Sequence, residues 1–178
     1  GMGHTAVAAG ETLPDALGPG SGQLSTAGCG GSGGGSNAEV GEDGTTTGDC
    51  SVAGEPGEAL GAGQTNPLTF GGAGGPVNWS TGTDPGVGGN GGGIVVLGAQ
   101  TVIVQEGATL SAHGLAATGH GAGGGAGGTV ALFTDQAELL SQPIASGGAG
   151  GEAPPSDSTV WPGNAWSYID NVVQTGTK

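Results

Sequence analysis

The chain has 178 residues, of which 46 are glycine, 3% are aromatic and 9% are charged. Its only basic residue is Lys178, set against 15 carboxylates for a net charge of −14. Nucleic acid and anionic membrane surfaces are therefore excluded as partners, because phosphate binding rests on Lys and Arg that displace counterions. True collagen is excluded too: no strict Gly-X-Y register persists and proline numbers only 10. No apolar run approaches the roughly 18 residues of a spanning helix, and Gly1–Gly10 holds neither the basic nor the apolar stretch of a secretion signal. The chain as it stands is expected to be soluble.

In chain order, residues 1–27 read as an extended lead-in or docking segment, small and polar, with Pro14 and Pro19 and a sparse apolar pattern at Val7, Leu13, Leu17 and Leu24. A glycine-rich repeat body follows over 28–151. In it glycines recur in broken steps of three: Gly28, Gly31, Gly34; Gly41, Gly44; Gly54, Gly57, Gly63; Gly72, Gly75; Gly86, Gly89, Gly92. From Ile94 the texture changes, and β-branched clusters predict short strands at 94–97, 101–104 and 108–112, divided by Gly98 and Gly107. Another run holds Gly121, Gly124 and Gly127 in frame, followed by a predicted strand at 129–134, one helical turn at 135–140, a strand at 143–146 and a glycine run at 147–151. Residues 152–178 form a C-terminal tail bearing aromatics.

The order "glycine run, strand, turn, strand, glycine run" occurs twice, as an imperfect repeat pointing to a stacked architecture. An extended three-fold helix makes no internal hydrogen bonds and leaves its N–H and C=O groups pointing sideways. Where the flanking positions are Gly or Ala, several such helices can approach and bond to one another, satisfying the backbone without side chains. Ordering glycine costs on the order of 1 kcal/mol per residue beyond alanine, so only a bundle is plausible. The predicted fold class is all-β or irregular: short β-strands combined with a packed bundle of polyglycine II helices, solenoid- or sandwich-like, with little α-helix.

The blocks GGNGGGIVVLGAQTVIVQEGATLSAHG (88–114), GHGAGGGAGGTVALFT (119–134) and IASGGAGG (144–151) resemble a glycine-rich module of bacteriophage tail-fibre tip adhesins and related virion appendage proteins. The resemblance covers roughly residues 64–151, and similar blocks occur in large glycine-rich bacterial surface proteins. It implies a sandwich of polyglycine II helices whose connecting loops at the distal end contact a bacterial receptor. The acidic N-terminal part, the two cysteines and the Trp-bearing tail depart from that pattern.

Chemistry-bearing residues are few. Cys29 and Cys50 lie in a segment almost devoid of other anchors. A disulfide between them, worth roughly 3 kcal/mol in the chain-entropy model, is the expected pairing and implies an oxidising, extracellular setting; free thiols and a two-cysteine metal site are the alternatives, the last a poor zinc set with no nearby His. His4, His113 and His120 assemble into no triad or acid–base motif, and read as ordinary polar residues, with His113 and His120 flanking one glycine run and able to share an end of the bundle. Neither a phosphate loop nor a dinucleotide fingerprint is present. Glu39, Glu42, Asp43, Asp49, Glu55 and Glu58 cluster in sequence; a solvated acidic face is favoured over a Ca²⁺ site, because no DxDxDG-like loop occurs. Asn78-Trp79-Ser80 fits an N-glycosylation sequon of a kind common by chance.

Trp79, Trp161, Trp166 and Tyr168 all fall in loop or tail stretches, in a chain with only six aromatics. They are candidate receptor contacts, since exposed Trp and Tyr suit protein and sugar surfaces; caps at the ends of the body are the equally weighted alternative. The function expected is that of a non-enzymatic, structural virion appendage protein, a tail-fibre or spike adhesin binding a host surface protein or glycan through loops. It would act extracellularly, with other appendage proteins or copies of itself as partners, and without metal, cofactor, nucleic acid or membrane insertion. A purely structural surface or appendage component is the alternative, and a glycine-rich ice-binding protein a further one, against which the irregular run lengths argue.

Overall fold

A computed structural model describes residues 18–24, 31–44, 53–60, 68–77, 86–151 and 172–175. Among them there is no helix. Three strands form one parallel sheet: β1 (Ile94–Val104), β2 (Thr129–Leu139) and β3 (Val172–Thr175), in the order β1-β2-β3. β1 and β2 pair from Ile94↔Thr129 to Val104↔Leu139, and β3 joins at Val130↔Val172.

β1 is continuous where two strands separated by Gly98 were expected. A methyl group at Gly98 would meet nothing within 4 Å, so this glycine neither breaks the strand nor admits a close neighbour. The irregularity sits two residues later. Gln100 and Asp135 are missing from the register, and the Thr134 hydroxyl lies 3.0 Å from the Gln100 carbonyl oxygen and 2.7 Å from that of Gln136. The inward face changes parity there: Val95 below it, but Val102 and Val104 above it, pack on the core, with Val130 and Leu132 below and Leu139 above on β2. The helical turn expected at 135–140 is strand through Leu139, because pairing with Thr101–Val104 satisfies its backbone and seats Leu139 against the core. Ladder and burial override local propensity. The strands expected at 108–112 and 143–146 reduce to one parallel bridge, Ser111↔Ile144, and β3 was not anticipated.

The hydrophobic core is small: Val102, Val104, Ala112, Val130, Leu132 and Ala145, flanked by Val95, Leu110 and Leu139. Burial of a Val or Leu contributes about 1.5–3 kcal/mol, so the four large side chains of this cluster, with Val77 buried apart from it, leave much of the described body to be held another way. The glycine-rich segments show how. Gly71, Gly74 and Val77 donate to Gly92, Gly89 and Gly86, an antiparallel pairing in steps of three. Gly89 and Gly92 donate to Gly123 and Ala126 in parallel, and Gly123 and Ala126 donate to Gly75 and Gly72 in antiparallel. Gly125 and Gly128 donate to Leu115 and Ala112; Ser32 and Gly35 donate to Gly121 and Gly124. Each neighbour is thus met by every third residue.

The excluded directions repeat with the same period. Methyl groups at Gly88 and Gly91 would strike Gly74 and Gly71, whereas those at Gly89 and Gly92 would strike Leu115 and Ala112. Along 123–125, consecutive positions face Gly33, Gly148 and Asn90 on three different segments. Ala73, Ala122 and Ala126 are fully buried at positions where the packing leaves room for a methyl. Amides of Gly89, Gly92, Gly123 and Ala126 are expected to exchange on the order of a thousandfold or more below random-coil rates. Hydrogen exchange read by NMR checks this, and random-coil exchange at these four would contradict the packing.

Candidate functional site: the two ends of the glycine body

The pairings assign a direction to every segment, and the directions sort the connections by end. Leading into β1 and β2, 86–93 and 121–128 run toward the sheet, as does 31–36, which pairs in parallel with 121–124. The antiparallel partners 71–77 and 112–118 run away from it, as does 144–151, whose Gly148 and Gly151 donate to Gly125 and Ala122.

One level, far from the sheet, therefore gathers Gln23, Gly31, Ser32, Gly44, Gly54, Val77, Gly86, Thr118, Gly121 and Gly151. Gly33 donates to Gln23 at 3.1 Å, Gly54 to Gly31 at 2.9 Å and Gly44 to Gly54 at 2.9 Å. Ser32 donates through its amide to Gly121 at 2.9 Å and through its hydroxyl to the Pro76 carbonyl. Val77 donates to Gly86 at 3.4 Å, and Val87 bridges Thr118. The chain reverses between Thr118 and Gly121 through Gly119 and Gly121, both at positive φ (74° and 72°), where an L side chain would be strained.

The sequence-predicted site residues all lie outside the described residues: Trp79, Trp161, Trp166 and Tyr168, and the cysteines Cys29 and Cys50, together with His4 and Asp49. The described residues that bound 25–30, 45–52 and 78–85 share the far end, whereas 152–171 runs from Gly151 at that end to Val172 of β3 in the sheet. Leu24 and Gly31 bound 25–30, which holds Cys29; Gly44 and Ala53 bound 45–52, which holds Cys50; Val77 and Gly86 bound 78–85, which holds Trp79; and Gly151 precedes the stretch with Trp161, Trp166 and Tyr168.

The two described histidines do not share an end, an arrangement the sequence left open. His113, exposed, with Nδ1 2.6 Å from Ser111 Oγ, follows Ala112, which accepts from Gly128 beside the sheet. His120 lies in the far turn, between Gly119 and Gly121, at the other end of the 112–118 run. Glu39, Glu42, Asp43, Glu55 and Glu58 are exposed, and among the described residues no three His, Cys, Asp or Glu side chains gather as a metal would require.

At the sheet end the sequence reading missed a polar knot. Asn37, fully buried, donates from Nδ2 to Gly127 O at 2.8 Å and Gly128 O at 2.9 Å, and accepts from the Thr69 hydroxyl at Oδ1. Buried Thr129 donates to Thr69 O at 2.8 Å. Ser36, also buried, donates to Gly57 O and accepts from Gly41 N at 2.7 Å. The available signal was positional, an Asn directly after GSGGGS and a Thr directly after GAGG. A cleft of about 250 Å³ beside Pro19, Gln23, Glu58 and Leu60 brings, among the described residues, one charged group to its wall.

No protein-family model matches the chain, and no curated protein or solved structure matches it. No helix among the described residues is long and apolar enough to cross a membrane.

Proposed function

We propose that this chain is a structural protein of a virion appendage, a tail-fibre or spike adhesin. Its glycine runs are read as packed polyglycine II helices, and its connecting loops bind a host surface protein or glycan. The observation that carries this reading is the step-of-three recurrence of inter-segment hydrogen bonds and of excluded methyl positions, the period of an extended three-fold helix. A body joined backbone to backbone presents almost no side-chain information, so discrimination between partners falls to what connects the runs. Val77 and Gly86, which bound the Trp79 segment, lie at the end away from the sheet, which favours that end as the binding end for Trp79; the segment with Trp161, Trp166 and Tyr168 is bounded by Gly151 at that end and by Val172 of β3 in the sheet. The proposed setting is extracellular, the proposed role non-enzymatic, and the Cys29–Cys50 disulfide is part of the same proposal.

Replacing Trp79, Trp161, Trp166 and Tyr168 singly by Ala and measuring attachment to host cells tests it. At least one variant is expected to keep its amide protection and lose attachment by about thirtyfold, the equivalent of the 2 kcal/mol of a contact hot spot. Four variants that fold and attach like the parent would remove the receptor-binding reading.

A further inference from the structure

We infer that the free edge of β1 is a self-association surface, on which a second copy of this chain pairs its own β1 antiparallel about a two-fold axis between Ala99 and Gln100.

Among the described residues β1 ends the sheet, with β2 on one side only. Natural sheet edges are blunted by charges, proline, inward lysines or a covering element. The eleven residues IVVLGAQTVIV contain no charge and no proline, in a chain of net charge −14. Val96, Leu97 and Ile103 are 47%, 37% and 56% exposed, whereas Leu132, the β2 partner of Leu97, is fully buried. The exposure of Leu97 therefore follows from the missing neighbour, not from its level in the sheet. An aliphatic edge of this length is a template for another strand.

The segment selects its own copy as that strand. Paired antiparallel about the point between Ala99 and Gln100, Val95 stands opposite Val104 of the second copy, Val96 opposite Ile103, Leu97 opposite Val102 and Gly98 opposite Thr101. Directly opposed residues must point to one face of a sheet. Here they do so because of the parity change at Gln100: Val95, Val102 and Val104 all pack on the core side, and exposed Val96 and Ile103 share the other. The irregularity that interrupts the β1–β2 register is what makes β1 complementary to itself. The contact is isologous and closed, and the strand that forms it is uncharged, so two acidic copies meet where repulsion is least. Because 86–93 leads directly into β1, antiparallel pairing sends the two glycine bodies in opposite directions, with the ends remote from the sheet at the two poles.

Sedimentation equilibrium of the full chain tests this, with an expected mass of twice the 16.4 kDa chain. Val96→Lys/Ile103→Lys places like charges directly opposite at two symmetric points and is expected to give the single-chain mass, although it lowers the net negative charge. Val96→Glu/Ile103→Lys places opposite charges at the same points and is expected to keep the double mass. Phe133→Lys, exposed on β2 and away from the edge, is expected to behave as the parent. A single-chain mass for the parent overturns the inference. So does a mass that keeps rising with concentration, the mark of head-to-tail growth. Dissociation of the Glu/Lys variant as complete as that of the Lys/Lys variant also overturns it.

Discussion

Gly124→Ala is expected to remove about 5 kcal/mol of stability, whereas Gly98→Ala is expected to leave stability unchanged or raise it by about 0.5–1 kcal/mol. A methyl at Gly124 would lie 2.8 Å from Gly148 C, 2.9 Å from Ala149 C, and closer still to the Gly148 carbonyl oxygen. All three atoms are backbone, so no rotamer change relieves the overlap. The 144–151 segment must move outward, and it is held to 121–128 by Gly148 N to Gly125 O and Gly151 N to Ala122 O, both at 2.8 Å. Overpacking costs about 1–3 kcal/mol, and each buried amide left unpaired adds about 1–3 kcal/mol. The sum is comparable with the whole stability of an ordinary domain, about 5–15 kcal/mol. At Gly98 a methyl meets nothing within 4 Å, and the change acts mainly by restricting the unfolded chain. Urea denaturation followed by far-UV circular dichroism and amide protection compares the two. Equal effects would mean that the runs do not approach as closely as their hydrogen bonds imply.

That contrast between two glycines shows what was legible. The steps Gly41, Gly44 and Gly54, Gly57 stand out in the sequence, and in the structure the first pair abuts Gly34, Gly35 and Gly31 while the second abuts Gln23 and Gly20. The residues between, Glu42, Asp43 and Glu55, with Glu58 beyond, point outward and are exposed. A period of three is local, so it can be read from one segment alone. Which segment pairs with which is not local. The pairing of 31–36 with 121–124 spans about ninety positions and depends on backbone groups that every glycine shares, so nothing in the letters specifies it. This is why His113 and His120, close in sequence, could be assigned to one end although they occupy two. Strand 135–139 was misread for a related reason: Asp-Gln-Ala-Glu-Leu favours a helix locally, and only the partner β1, thirty-five residues earlier, makes it a strand. The aromatic candidates were legible as outliers in composition, and the common end of Val77 and Gly86, which bound the Trp79 segment, emerges only once the run directions are known.

The polar knot at the sheet end carries the other large effect. Asn37→Leu is expected to cost about 3–5 kcal/mol, more than a core deletion of similar size in so small a core, because it strips partners from the carbonyls of Gly127 and Gly128 and from the Thr69 hydroxyl at once, each about 1–3 kcal/mol when left unsatisfied. Asn37→Asp keeps the shape and reverses the chemistry. An ionised carboxylate has no hydrogen to offer the two carbonyl oxygens, and the site is fully buried, so burial and the facing oxygens both favour the protonated form and raise the introduced group's pKa above the roughly 3.9 of an unfolded aspartate. A folded-state pKa above the unfolded one gives a contribution that is fully present below about pH 4 and is lost as pH rises through the folded value. Relative to the parent at the same pH, this variant is therefore expected to be least impaired near pH 3.5 and progressively worse toward pH 7, while the Leu variant shows a deficit independent of pH. Urea midpoints of all three proteins across that range decide it. A flat deficit for Asn37→Asp would show that the carboxylate reaches water, and a neutral Asn37→Leu would show that the two carbonyls find other partners.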